Sequence, residues 1–63
     1  MSMYNDVDDG DLIDAVLSWA DTNPEFDPEF VESLGEYYEK KGELTDSQRR
    51  ALVSIAEKWK IRA

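Results

Sequence analysis

The stretch that decides the fold is DPEFVESLGEYYEKKGELTDSQ, residues 27–48. It contains both ends of one helix and the start of another. Asp27 and Pro28 form a capping residue followed by a first-turn proline, which is typical of a helix start. Gly42 supplies the left-handed residue that commonly ends a helix. The stretch therefore predicts a helix over residues 28–41, with a second helix close behind it.

The second helix of this pair begins after Gly42. Thr45 and Gln48 have the spacing of a capping box, in which each side chain bonds the backbone amide of the other residue. Behind them, apolar residues recur at helical spacing, which predicts a helix over residues 46–61. The residues expected to face the core from this helix are Ala51, Leu52, Ile55, Ala56 and Trp59.

A further amphipathic helix is predicted ahead of both, over residues 9–22. Its apolar positions recur every three or four residues, and Asp8 or Asp9 is expected to cap its start. Asn23 ends it, because the residue before a proline is displaced from the helical region. The inward stripe is Leu12, Ile13, Val16, Leu17, Trp19 and Ala20; that of the next helix is Phe30, Val31, Leu34, Tyr37 and Tyr38.

Together these patterns predict an all-α fold. Residues 9–63 are expected to form a single, compact three-helix domain, with helices over about residues 9–22, 28–41 and 46–61. Residues 1–8 show no apolar period and are expected to be a loose, flexible tail. No stretch approaches the length of a membrane span, and no secretory signal is recognisable. These features favour a cytoplasmic protein.

The charge is distributed unevenly along the 63 residues. Residues 1–39 hold twelve acids and no base, giving −12; residues 40–63 hold seven bases and three acids, giving +4, which sums to the net −8. A negative balance argues against nucleic acid and anionic membranes as partners. The chain also lacks Cys and His, which excludes disulfides and removes the commonest general base.

Catalysis is not expected from this composition. Without His or Cys, an active site would need paired carboxylates, a Lys or an activated Ser. No nucleophile elbow, phosphate-binding glycine loop or dinucleotide fingerprint is present. The acidic run at residues 6–11 resembles a calcium loop, but the EF-hand spacing fits it in no register. We predict a non-enzymatic protein without a cofactor or a metal site.

Acidic residues on the first two helices are the candidate binding surface. On the helix predicted over residues 28–41 the acids are spaced by three, four and three residues, so they share one face. Such a face either keeps a small protein soluble or presents regular negative charge, like a nucleic-acid backbone, to a basic protein. The residues proposed to bind a protein are Asp11, Asp14, Asp21, Glu29, Glu32, Glu36 and Glu39.

Two alternatives remain open. The first is a nucleic-acid-binding accessory that contacts phosphates through the basic third helix, although these bases are expected rather to pair with acids of the first two helices or with the helix dipole. The second is a structural module that assembles with copies of itself. The residues of the nucleic-acid alternative are Arg49, Arg50, Lys58, Lys60 and Arg62.

Residues 30–61 resemble a helical pair of bacteriophage proteins, written loosely F-x-x-S-L-x-x-x-Y-x-x-x-G-x-L-T-x-x-Q-x-x-x-L-x-x-I. Such segments occur in small uncharacterised phage proteins and as appendages on phage replication proteins such as helicases. The resemblance covers about half of the chain. The matching positions are Phe30, Ser33, Leu34, Tyr38, Gly42, Leu44, Thr45, Gln48, Leu52 and Ile55. The resemblance implies a phage or prophage origin more than any activity, and it carries over no catalytic residue.

The favoured interpretation is a small, acidic protein-binding module of phage type. Its negative helical face is expected to bind a basic host protein. A host enzyme that handles nucleic acid is a natural candidate, because its basic groove and the acidic face carry opposite charges, which speeds association. If the chain is phage-encoded, this happens in the cytoplasm of the host cell. No membrane partner is expected, and a second copy of the chain stays an open alternative.

Overall fold

A computed structural model describes residue 4 and residues 6–62. In this part of the chain it has three α-helices and no strand: α1 (Asp9–Asp21), α2 (Glu29–Lys41) and α3 (Asp46–Lys58). The predicted all-α fold is therefore confirmed. Each helix lies within its predicted range, and the largest difference is at the end of α3, which stops three residues early.

The predicted signals at the junction of α2 and α3 are present. Thr45 Oγ1 accepts a hydrogen bond from the Gln48 amide at 3.1 Å, and Gln48 Oε1 accepts one from the Thr45 amide at 2.9 Å. Gly42 has a φ of 80°, and its amide bonds the Tyr38 carbonyl at 2.7 Å. This left-handed glycine and the capping box turn the chain sharply between the two helices.

The end of α3 folds back on itself instead of continuing to Ile61. Lys60 has a φ of 53°, which is left-handed. Beyond it the Ile61 amide bonds the Ala56 carbonyl at 2.8 Å, and the Lys60 amide bonds the Glu57 carbonyl at 3.3 Å. This is the Schellman pattern with a lysine in the position that glycine usually takes. It directs Ile61, which is 1% exposed, into the core.

The core lies around α1, which packs against both α2 and α3, whereas these two have less contact with each other. Of the sixteen residues predicted to face inward, seven are buried, seven are partly buried, and Phe30 and Trp59 are exposed. Phe30 was expected to face inward but is 48% exposed, because α2 packs mainly against α1 and is therefore covered along one side only. The buried side chains are Tyr4, Leu12, Ile13, Val16, Val31, Leu34, Leu44, Leu52, Ala56 and Ile61.

The segment before α1 contributes one of these core residues. Residues 1–3 and 5 of the predicted tail lie outside the described residues, and the rest is not helical. Tyr4 is 1% exposed, and its hydroxyl lies within hydrogen-bond distance of the carbonyl oxygens of Ala56 (3.1 Å) and Ile61. Tyr4 thus joins the start of the chain to the end of α3, a contact that sequence patterns did not indicate.

The helices α1 and α2 approach each other at two glycines. At Gly35 a Cβ would lie 3.5 Å from Ile13 Cγ2, an ordinary van der Waals distance. The tight approach is at Gly10 instead, where a Cβ would lie 3.0 Å from three atoms of the Tyr38 side chain. The packing is therefore tight at position 10, where a methyl group needs the Tyr38 ring to move, and ordinary at position 35.

We expect Gly35→Ala to raise the free energy of unfolding by about 1 kcal/mol, because alanine is the better helix former and its methyl group fits. Gly10→Ala should give a smaller gain or a loss, since the Tyr38 ring must move. Urea denaturation followed by circular dichroism measures both. A Gly35→Ala variant less stable than Gly10→Ala would contradict this packing.

Candidate functional site

A groove runs along the surface between α1 and α2. Its floor is apolar and consists of Ile13 and Leu17 from α1 and Tyr38 from α2, beside Gly10 and Gly35. A Cβ at Gly35 would meet nothing but Ile13 within 4 Å, so the space above this glycine is open. The groove continues past Leu17 to a second hollow that reaches Ala20 and Pro28.

Carboxylates line both rims of this groove. Five of the seven residues predicted to bind a protein lie along it, and all five are exposed. No lysine or arginine lines either hollow. Asp11 and Glu29 are exposed but lie outside the lining. The five rim residues are Asp14 and Asp21 on α1 and Glu32, Glu36 and Glu39 on α2.

The two rims repeat at the same interval. Asp14 and Asp21 are seven residues apart on α1, and Glu32 and Glu39 are seven apart on α2. Seven residues are about two turns of helix and about 10.5 Å along its axis. Glu36 adds a fifth charge between the two on α2. The groove is therefore an apolar floor between two regularly charged edges.

These five carboxylates form no ion pair within residue 4 and residues 6–62. The one ion pair closer than 4.0 Å in that range joins Arg49 to Asp9, at 2.5 Å. None of the rim side chains makes a hydrogen bond there. The basic half of the chain thus forms no ion pair with the groove in the described residues, although its bases were expected to pair with acids of the first two helices or with the helix dipole.

The Arg49–Asp9 pair is the centre of a network that fastens the chain before α1. Asp9 Oδ2 accepts a hydrogen bond from the Leu44 amide at 2.9 Å. Arg49 Nη2 donates to the carbonyls of Tyr4 and Val7, at 2.8 and 2.7 Å. We call these contacts the Arg49 network. It joins the segment before α1, the first turn of α1, the loop before α3 and α3 itself.

This network changes the role of three predicted residues. Asp8 occupies the cap position of α1, but its side chain makes no capping hydrogen bond. Asp9, the other capping candidate, bonds across to α3 instead. Arg49, which was assigned to a possible phosphate-binding patch, donates its hydrogen bonds inside the fold, and its side chain is 28% exposed. The bases of that patch that remain exposed are Arg50, Lys58, Lys60 and Arg62.

Trp59 was expected in the core but is 40% exposed. It caps α3 and packs against Trp19 and Phe26, with ring centroids 5.4 and 6.1 Å away. Trp19 and Phe26 are themselves 5.3 Å apart, edge to face. The prediction was wrong because it extended the helical period past Lys58, where α3 ends. The ammonium of Lys58 lies 5.8 Å from the centroid of the Trp59 ring. The three rings form a surface cluster that holds the end of α3 to the end of α1.

The described residues contain no group of three or more carboxylates placed to hold a metal ion. None of their helices combines the length and the apolar character needed to span a membrane. Comparison of the chain with protein-family models, with curated proteins and with solved structures finds no match.

Proposed function

We propose that this chain is a small, non-enzymatic protein of bacteriophage type that binds a basic protein of the host cytoplasm through the groove between α1 and α2. The observation that carries the proposal is the set of five exposed carboxylates that line one groove without a basic residue among them. Like charges at helical spacing destabilise a helix by a few tenths of a kcal/mol per pair. A basic partner removes that repulsion.

The chemistry of the groove favours a protein that handles nucleic acid. Such proteins carry basic surfaces, and opposite charges steer the two molecules together at a rate that falls with salt. The resemblance of residues 30–61 to phage proteins supports a host protein as the target. The nucleic-acid alternative has less support, because Arg49 is engaged in the Arg49 network.

Retrieval of the partner from a bacterial lysate tests the proposal. The wild-type chain is compared with a groove variant, Glu32→Gln, Glu36→Gln and Glu39→Gln. The matched control has the same change of net charge at exposed acids outside the groove: Glu25→Gln, Glu43→Gln and Glu57→Gln. Exposed ion pairs contribute about 0.2–1 kcal/mol each, so three of them should reduce the affinity roughly tenfold.

We expect the groove variant to lose the protein that the wild type and the control both retain. The affinity of the recovered protein should also fall as salt rises from about 0.05 to 0.5 M, since screening shortens the range of surface charges. Equal recovery by the groove variant and the control would show that the acidic groove is not the contact.

A further inference from the structure

We infer that the groove binds an amphipathic helix of the partner, with apolar side chains on the floor and Lys or Arg at seven-residue intervals on both flanks. This inference rests on the proposed function, because it names the kind of segment that the acidic groove would hold. It adds shape and sequence pattern to a proposal that otherwise depends on charge alone.

The shape of the groove favours a helix. Its two walls are the packed helices α1 and α2, and a third helix fits the channel between such a pair by inserting its ridge of side chains. The two hollows, of about 460 and 440 Å³, share Asp14, Leu17 and Glu32 and are partly open to solvent. Small-molecule pockets enclose most of the ligand, whereas an open channel suits a polymer segment.

The apolar floor has no role in binding by charge alone. Ile13, Leu17 and Tyr38 line it, and Gly35 keeps it open. A glycine inside a helix costs about 1 kcal/mol relative to alanine, and the packing of α1 on α2 has room for the methyl group. The packing of α1 on α2 therefore does not need a glycine at position 35. An apolar side chain that enters the groove does need the space that this glycine leaves.

The spacing of the acids sets the pattern of the guest helix. Rim carboxylates two turns apart on both α1 and α2 match basic residues that flank an apolar seam, as the charged positions of a coiled coil do. Along α1 the lining extends from Gly10 to Asp21, which is about 16 Å. The guest therefore contributes about three helical turns.

Two synthetic peptides of about 18 residues, built from the same numbers of Leu, Ala and Lys, test the inference. In the ordered peptide Leu forms one stripe with Lys every seven residues on both flanks; in the scrambled peptide the order is random. Fluorescence anisotropy of the labelled peptides measures affinity for the full chain at low salt. We expect the ordered peptide to bind roughly tenfold tighter, a difference of about 1.4 kcal/mol.

The outcomes separate the inference from the proposed function. Equal affinity for both peptides, with a loss for both in the groove variant, overturns the helix and retains the acidic surface. Affinities that do not depend on Glu32, Glu36 and Glu39 contradict the proposed function as well. A gain of helical circular dichroism on mixing, beyond the sum of the components, is expected for the ordered peptide alone.

Filling the groove is the second arm of the test. Gly35→Leu places a side chain over the floor, and Ser54→Leu adds the same side chain at an exposed position of α3. We expect Gly35→Leu to weaken binding of the ordered peptide roughly tenfold and Ser54→Leu to leave it unchanged. If Gly35→Leu does not fold, Gly35→Ala is the substitute, with a smaller loss expected.

A folded Gly35→Leu or Gly35→Ala variant that binds the ordered peptide as well as the wild type does would overturn the inference. Sedimentation across protein concentration addresses the other occupant, a second copy of the chain. Self-association that Gly35→Leu abolishes would assign the groove to that copy and overturn the inference for a different partner.

Discussion

Replacing Tyr4 with Ala should lower the free energy of unfolding by about 3–5 kcal/mol, the range for deleting a buried aromatic side chain. The ring is 1% exposed and lies among the residues that pack α1 against α3. Small domains have a total stability of about 5–15 kcal/mol, and a 63-residue chain belongs near the lower end. The Tyr4→Ala variant is therefore expected to be largely unfolded at modest urea concentrations.

Tyr4→Phe is the matched control, because it removes the hydroxyl and keeps the ring. It withdraws the donor that lies near the carbonyls of Ala56 and Ile61, which should lower stability by about 1–2 kcal/mol. Urea denaturation monitored by circular dichroism gives both values. A Tyr4→Ala variant as stable as the wild type would show that the segment before α1 does not pack on the core.

The second large effect is expected at the Arg49 network. Asp9→Ala leaves the Leu44 amide without its acceptor and Arg49 without its ion pair. Hydrogen bonds to charged groups contribute about 1.5–3 kcal/mol. The side chains of Asp9 and Arg49 are only 17% and 28% exposed, so we expect the free energy of unfolding to fall by about 2–3 kcal/mol. Asp9→Asn retains an oxygen for the Leu44 amide and should lose less.

A double-mutant cycle separates the pair from its surroundings. The variants are Asp9→Ala, Arg49→Met and the combination, each measured by urea denaturation. Residues in one hydrogen-bond network show interaction energies of about 0.5–3 kcal/mol, and we expect a value above 1 kcal/mol here. An interaction energy near zero would mean that the two side chains act independently, in contradiction to the Arg49 network.

The helices were predictable because their signals are local. The capping box at Thr45, the left-handed Gly42 and the apolar periods each lie within a few residues of the element they control. The contacts of Tyr4 and Asp9 were not predictable in this way. Tyr4 bonds a carbonyl 52 residues away, and Asp9 bonds a side chain 40 residues away. No period or cap links residues at such separations.

Two aromatic residues show where a helical period misleads. Phe30 and Val31 are neighbours in sequence and lie roughly 100° apart on a helix, so a helix that is covered on one side buries only one of them. Trp59 continues the stripe of α3 in sequence, but the helix has already ended at Lys58. The apolar period therefore identified the buried side of each helix. It made the buried side of α2 too wide at Phe30 and extended α3 too far, to Trp59.

The candidate site was predictable in part. Helical spacing placed Glu29, Glu32, Glu36 and Glu39 on one face of α2, and the last three line the groove. The spacing does not give the position of α1 relative to α2, which decides which acids border a groove and leaves Asp11 and Glu29 outside it. The floor around Gly35 likewise depends on how the two helices pack.

Chemical-shift mapping of the backbone amides tests most directly whether the acidic groove is the binding surface. The ¹⁵N-labelled chain is titrated with the ordered basic peptide at low salt. We expect the largest shifts at residues 10–21 of α1 and 32–39 of α2, with little change at the exposed residues Arg50 and Ser54 of α3. Largest shifts on α3, or shifts spread evenly over all three helices, would contradict the assignment of the groove.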